Sequence, residues 1–227
     1  MSDLLERLSQ CVEAGKINQA APYPPKLKGQ PGADELCKEA LAAGVPPDQI
    51  LEQGLVTGMA RIGERFGQGK AFVPEMLLAA RAMTAAMVHL KPFFSSGAVK
   101  RKGVFVVGTV AGDLHDIGKN IVAMMVEGAG WEVVDLGVDV KAERFLAEIE
   151  KRPRCVVGLS ALLTTTMVNM EKIVAEIRVR HPDQPVFVGG APVNADFCKK
   201  IGASFYAPDP QGVVDHLRTL AACREPS

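Results

Sequence analysis

The residues best suited to chemistry lie in one short run, Asp113-Leu114-His115-Asp116-Ile117-Gly118. Imidazole is a good ligand for a first-row transition metal. Asp113, two residues before the histidine, is placed to accept the other ring N–H, which would fix the tautomer and make the ligand more basic. Gly118 lets a bulky group pass close to the backbone where the next helix begins. By itself an Asp-x-His pair is also what a solvated turn or a helix cap looks like. Two further runs bear on the choice. Gly158-Leu159-Ser160-Ala161-Leu162-Leu163-Thr164-Thr165-Thr166 gathers hydroxyls, and Val188-Gly189-Gly190-Ala191-Pro192 leaves room beside a backbone. Hydroxyl clusters often cap helices and Gly-Gly often only makes a turn, so neither decides the matter alone.

The elements predicted around these runs bring them together. From Val104 onward, short apolar stretches rich in Val and Phe alternate with helical ones. Extended segments are predicted at Val104–Val107, Glu132–Leu136, Cys155–Leu159, Val186–Val188 and Ser204–Tyr206, with helices between and after them. Five βα units of this kind predict a parallel sheet covered on both faces. Ligands of such sheets sit beyond the carboxyl ends of the strands, where all three runs begin. Residues 1–95 follow the helical period instead. Leu51, Leu55, Ile62 and Phe66 share one face of a helix opened by Pro46-Pro47-Asp48. Met76, Ala80, Met83, Met87 and Leu90 share another from near Pro74, and at this spacing methionines read first as bundle core. The turn Gly67-Gln68-Gly69-Lys70 joins the two, and shorter helices around 3–14 and 33–43 would complete a four-helix bundle. The small, polar and basic run Ser95–Gly103 reads as a linker. The expected organisation is a helical domain over 1–95, a linker over 96–102 and an α/β domain over 103–227.

Composition narrows the setting. Lys+Arg and Asp+Glu both number 26 in the 227 residues, so no net field favours nucleic acid or an anionic membrane. Lys100–Lys102 reads as solvated linker. No apolar run approaches the ~20 residues that would span a bilayer. Met1–Glu6 lacks the basic and apolar regions of a signal peptide. The five cysteines are scattered and form no CxxC, which argues against a zinc site or a disulfide framework. A reducing cytoplasm is the expected location.

Together the three runs closely resemble the cobalamin-binding domain of methionine synthase and of the corrinoid proteins of methyltransferase systems. Asp113-Leu114-His115-Asp116-Ile117-Gly118, Ser160-Ala161-Leu162 and Gly189-Gly190 match that family's three-part signature in order and spacing. Gly63-Glu64-Arg65-Phe66, followed by Phe72-Val73-Pro74-Glu75-Met76, is similar to the helical cap that precedes it, so the resemblance spans nearly the whole chain. It implies an α/β protein, with a four-helix bundle cap before a flavodoxin- or Rossmann-like parallel five-stranded sheet.

The resemblance also implies roles. His115 would be the lower axial ligand of cobalt, displacing the cofactor's own nucleotide base. Asp113 would hydrogen-bond that histidine, with Thr166 standing where methionine synthase completes the relay with a serine. Leu114, Asp116, Ile117 and Gly118 would belong to the same corrinoid-binding loop. The displaced tail would enter beside Ser160, Leu162, Thr164, Gly189 and Gly190, with Tyr206-Ala207-Pro208-Asp209-Pro210 closing over its base. Pro210 departs from the small residue common there. Phe72 and Met76 would shield the upper face of the corrin. The implied function is a methyl carrier on a corrinoid cobalt. A donor-side methyltransferase, for methanol, methylamine or a methoxylated aromatic, would load it, and an acceptor-side methyltransferase would unload it. A reductive activase would be a further partner. The chain has no barrel-sized module of ~250 residues, so it would be a carrier subunit and not a complete enzyme. Three alternatives stand beside this reading. A detached mutase cobalamin subunit is disfavoured by the Met-rich cap. A cobalamin-responsive regulator would need a DNA-binding module, for which residues 1–30 are too short and too weakly basic. The last is a nucleotide- or flavin-binding fold without metal.

Overall fold

The computed structural model describes residues 2–95 and 101–222. Most of the expected linker (96–100) and Cys223 lie outside the described residues. The chain divides into two compact units, Met1–Arg101 with Gly128–Gly130, and Lys102–Glu127 with Trp131–Ser227.

The first unit is helical: α1 (Ser2–Glu13), α2 (Ala33–Ala42), α3 (Pro47–Gln49) running through a π-helical stretch (Ile50–Val56) into α4 (Thr57–Gly67), and α5 (Val73–Ser95). Leu5, Leu8 and Val12 recur at the helical period and form the buried stripe of α1. Gly54 and Gly58, four residues apart, allow that stripe close approach. A Cβ on Gly54 would stand 2.7 Å from Leu8, and one on Gly58 would stand 2.5 Å from the Ser9 carbonyl. Met76, Met83, Met87 and Leu90 of α5 are all buried, as their spacing predicts. The π-helical stretch contains Gly54 and ends two residues before Gly58.

The second unit is a sheet with helices on both faces. Its strands are β1 (Val104–Thr109), β2 (Glu132–Asp135), β3 (Val156–Ser160), β4 (Val186–Gly189) and β5 (Phe205–Tyr206), paired in parallel in the order β2-β1-β3-β4-β5. Its helices are α6 (Ile117–Gly128), α7 (Ala142–Lys151), α8 (Met167–Arg180), α9 (Ala195–Lys200) and α10 (Pro210–Ala222). The alternate positions Val106, Val157, Leu159, Val186 and Val188 pack with Phe145, Ile149, Ile173 and Ile177 of α7 and α8 in one core cluster. The opposite positions, Phe105, Val107, Gly158, Ser160, Phe187 and Gly189, face a cleft bordered by α6 and α10. The strand order reverses direction between β1 and β3, the point at which open sheets of this kind bind ligands.

Candidate functional site

The ends of β1, β3 and β4 coincide. Thr109 is in register with Ser160, and Ser160 with Gly189, so the three loops carrying the sequence signals leave the sheet side by side. The first loop is held open by groups from elsewhere. Gly112 takes φ +82°, a conformation glycine adopts without strain. Its N–H donates to Asp139 Oδ1 at 2.7 Å, while Asp139 N–H donates to the Asp113 carbonyl at 3.0 Å. Asn169 Nδ2 donates to the Ala111 carbonyl at 2.8 Å, and Thr109 Oγ1 donates to the His115 carbonyl at 2.9 Å.

Asp113 stands at the centre of this arrangement, with its side chain fully buried. Oδ1 accepts from His115 N–H at 3.1 Å and faces His115 Nδ1 at 2.8 Å. Oδ2 accepts from Leu162 N–H at 2.8 Å, Leu163 N–H at 3.2 Å and Thr166 Oγ1 at 2.8 Å. The Thr166 hydroxyl has one proton and also lies 2.8 Å from the Leu163 carbonyl. The charged acceptor is the stronger partner. Burial alone would raise the Asp113 pKa. The Leu162 N–H, the His115 ring and backbone and the Thr166 hydroxyl outweigh it and hold the carboxyl well below the usual carboxylate range. An ionised carboxylate facing Nδ1 places the ring proton there, so Nε2 carries the lone pair. The imidazole is 51% exposed.

Beside this loop the cleft forms a cavity of about 270 Å³, walled by Gly118, Lys119 and Val122 of α6 and by Pro210 and Val213 of α10. Its sheet side is Phe105, Val107, Gly158, Ser160, Phe187 and Gly189, and its rim includes Gly190 and Tyr206–Pro210. A Cβ on Gly158 would meet the tip of the Phe105 ring at 2.5 Å, so the glycine makes room for that ring beside β3. Gly190 has φ +124° and packs so tightly that a Cβ would fall 1.8 Å from the Ala161 carbonyl oxygen. Gly118 and Gly189 border open space, with nothing within 4 Å of a Cβ.

Models of the B12 binding domain match residues 103–209 and, in a second form, residues 30–91. Trimethylamine corrinoid protein 1 of Methanosarcina acetivorans is 41% identical over 192 residues, covering 83% of this chain and 89% of that protein. The chain belongs to the B12-binding corrinoid proteins. Dimethylamine corrinoid protein of Methanosarcina barkeri is 35% identical over 97% of this chain and 98% of its own length. Among solved structures, the methanol:cobalamin methyltransferase complex of Methanosarcina barkeri superposes with TM-score 0.82 at 27% identity. That match covers 97% of this chain and 80% of the other. A cobalamin-binding protein from Desulfitobacterium hafniense gives TM-score 0.71 at 29% identity, over 96% and 97% of the two chains.

Within this corrinoid protein most of the expected site residues fall into two groups. Asp113, His115, Thr166 and the Leu162 backbone form one hydrogen-bonded set. Gly118, Ser160, Gly189, Gly190, Tyr206 and Pro210 line the cavity. Thr164 and Asp116 are exposed and belong to neither group. Asp116 accepts from Asn120 Nδ2 at 3.0 Å, within the first turn of α6. Leu114 and Ile117 expose 70% and 72% of their surface beside the histidine. In the helical unit, Phe72 is 68% exposed whereas Met76 is buried at 1%. Sequence reasoning missed Thr109, Asp139, Asn169 and Lys119. The first three act through side chain-to-backbone bonds that leave no pattern in the sequence. Lys119 follows Gly118 directly and reads there as an ordinary helix residue. No described helix is long and apolar enough to cross a membrane.

Proposed function

We propose that this corrinoid protein binds cobalt through His115 Nε2 and carries a methyl group between a donor-side and an acceptor-side methyltransferase. The observation that carries the reading is the committed imidazole. Its Nδ1 is held by an ionised, buried Asp113 at 2.8 Å while the ring is 51% exposed. A lone imidazole suits a metal whose other donors arrive with a macrocycle. Among the described residues, no group of three or more His, Cys, Asp or Glu is placed to hold an ion unaided.

The surroundings fit such a group. Leu114, Ile117, Leu162 and Leu163 expose 70%, 72%, 44% and 42% of their surface on the loops that carry His115 and its partners, an apolar surface for a flat ring. The neighbouring cavity would take the displaced nucleotide tail, held by Ser160, Gly189, Gly190, Tyr206 and Pro210, with Leu162 and Thr164 on the loop beyond β3. Asp116 and Gly118 would border the entry of that tail. Shielding of the upper face of the ring by Phe72 and Met76 belongs to the same proposal; on the helical unit Phe72 is exposed and Met76 buried. The cofactor, when bound, supplies a cobalt that accepts and releases the methyl group. This chain's own residues fix the ligand's tautomer, keep its orientation through the bond from Thr109 to the His115 carbonyl, and separate the tail from the ring.

The methylamine corrinoid relatives and the structural match to a methanol:cobalamin methyltransferase complex support methyltransferase partners. A cytoplasmic setting and a reductive activase complete the proposed cycle. The test is to load protein labelled with nitrogen-15 histidine with cobalamin, reduce it to cobalt(II) and record the paramagnetic resonance spectrum. The expected result is a changed nitrogen splitting. An unchanged splitting means that the cofactor keeps its own base, and the role of His115 fails.

A further inference from the structure

Lys119 is the charged side chain that this scheme leaves unused. It is the third residue of α6, is 3% exposed and lines the cavity. Its Nζ donates to Asn120 Oδ1 at 2.6 Å and to Asp135 Oδ2 in an ion pair. An ammonium carries three N–H donors. Among the described residues two of them are used, and the third has no acceptor. Leaving one N–H of a buried ammonium without an acceptor costs free energy, so an occupant of the cavity that brings an acceptor is favoured over one that does not.

The remaining walls say what shape that occupant has. Phe105, Val107, Val122, Phe187 and Val213 are apolar, and two of them are aromatic, a lining that suits an aromatic occupant. The volume of about 270 Å³ is near the lower end of small-molecule pockets, which begin at roughly 300 Å³. It suits one flat ring system and not a whole cofactor. Flat, apolar and bearing one in-plane acceptor describes a nitrogen heterocycle. A benzimidazole or purine base, once released from cobalt, exposes an imine lone pair. A phenolic base joined through its oxygen exposes none.

We propose that Lys119 makes the tail cavity selective for a corrinoid whose lower base is a nitrogen heterocycle, by donating its third N–H to the imine nitrogen freed from cobalt. The inference rests on the corrinoid reading above and adds to it the class of lower base. The ion pair with Asp135 holds the ammonium in place, and the ligand completes its hydrogen bonding.

The test is spectrophotometric titration of apoprotein with a benzimidazolyl cobamide and with a phenolyl cobamide, for the wild type, Lys119→Met and Asp135→Asn. Phenolyl cobamide has no base to displace from cobalt, so the informative quantity is the change on mutation for each ligand. Lys119→Met is expected to weaken the benzimidazolyl form by about tenfold or more and to move the phenolyl form by less than about threefold. Asp135→Asn keeps the ammonium and, in its amide oxygen, an acceptor to hold it, and should retain the selectivity. Equal weakening of both ligands by Lys119→Met would make the lysine a wall of the cavity only and overturn the proposal. So would no change in either. If Lys119→Met does not fold, nitrogen-15 NMR of the labelled base bound to wild-type protein decides. An imine resonance at its hydrogen-bonded position supports the proposal, and one at its position in an apolar solvent overturns it. Wild-type protein that melts cooperatively yet binds neither cobamide overturns the cofactor reading itself.

Discussion

Replacing Asp113 by Asn keeps the shape of the side chain while reversing one of its two hydrogen-bonding ends. The carboxylate meets three donors at Oδ2, from Leu162, Leu163 and Thr166, and two at Oδ1, from the backbone and ring of His115. An amide has one oxygen, and the better place for it is opposite the three donors. Its NH2 group then points at His115. There it opposes the His115 N–H at 3.1 Å, donor against donor, and faces Nδ1 at 2.8 Å. Nδ1 can accept only if the ring proton moves to Nε2, the nitrogen proposed to bind cobalt. A hydrogen bond to a charged group is worth about 1.5–3 kcal/mol. His115 is half-exposed, so water can rescue part of the loss, and we expect about 2–3 kcal/mol against the productive tautomer. That converts to a corrinoid affinity roughly 30- to 150-fold weaker. Nitrogen-15 correlation spectra of the apoprotein report the tautomer directly, and titration with cobalamin reports the affinity. An Asn variant that keeps Nε2 unprotonated, or that binds within about threefold of wild type, would refute the reasoning.

Two further outcomes follow from the same geometry. The Asp113 carboxyl lies well below the usual range in the folded protein and titrates near 3.9 when unfolded, so between these values the unfolded chain binds the extra proton. Its contribution to stability is complete above about pH 5 and is lost as the pH falls through about 4 and further down. Urea midpoints from pH 3 to 6 should therefore fall towards acid more steeply for wild type than for Asp113→Asn. At the glycines, Gly190→Ala places a Cβ 1.8 Å from a carbonyl oxygen at φ +124° and should destabilise the α/β unit by at least about 3 kcal/mol. Gly118→Ala meets nothing within 4 Å and should leave the apoprotein as stable or slightly more so, while weakening corrinoid binding if the tail passes there. Urea melts and cobalamin titrations of both variants check the contrast.

The parallel sheet was legible because each apolar run stops where its function begins. Val104–Val107 leads into the Asp113–Gly118 loop, Val156–Leu159 into Ser160, and Val186–Val188 into Gly189-Gly190. Period and composition were enough to predict strands there, and the crevice rule put their ends together. The hydroxyl cluster was only partly legible. Thr164, Thr165 and Thr166 look alike in sequence, yet only Thr166 turns inward to Asp113, because it stands at the N-terminal boundary of α8. Asp139 and Asn169 could not be read at all. They brace the first loop from 27 and 58 residues away, and bonds from a side chain to a distant backbone carry no periodicity. The π-helical stretch Ile50–Val56 was equally hidden, since its residues keep the apolar spacing of a regular helix.

These details explain why ligand chemistry and local folding are inseparable at Asp113 but separable at Lys119. The Asp113 carboxylate ties the loop after β1 to the loop after β3 through Leu162, Leu163 and Thr166, and the same group orients the imidazole. Any substitution that alters the tautomer therefore also loosens the junction of two strand ends. Lys119 works differently. It pairs with Asp135, whose side chain is 40% exposed, so water can replace the lysine there at little cost. The third N–H of Lys119 has no structural duty among the described residues. A change in ligand selectivity without a change in fold is therefore expected at Lys119 and not at Asp113. On the proposed reading, tuning at the cobalt end would be constrained by stability, whereas discrimination at the tail end would be free to vary.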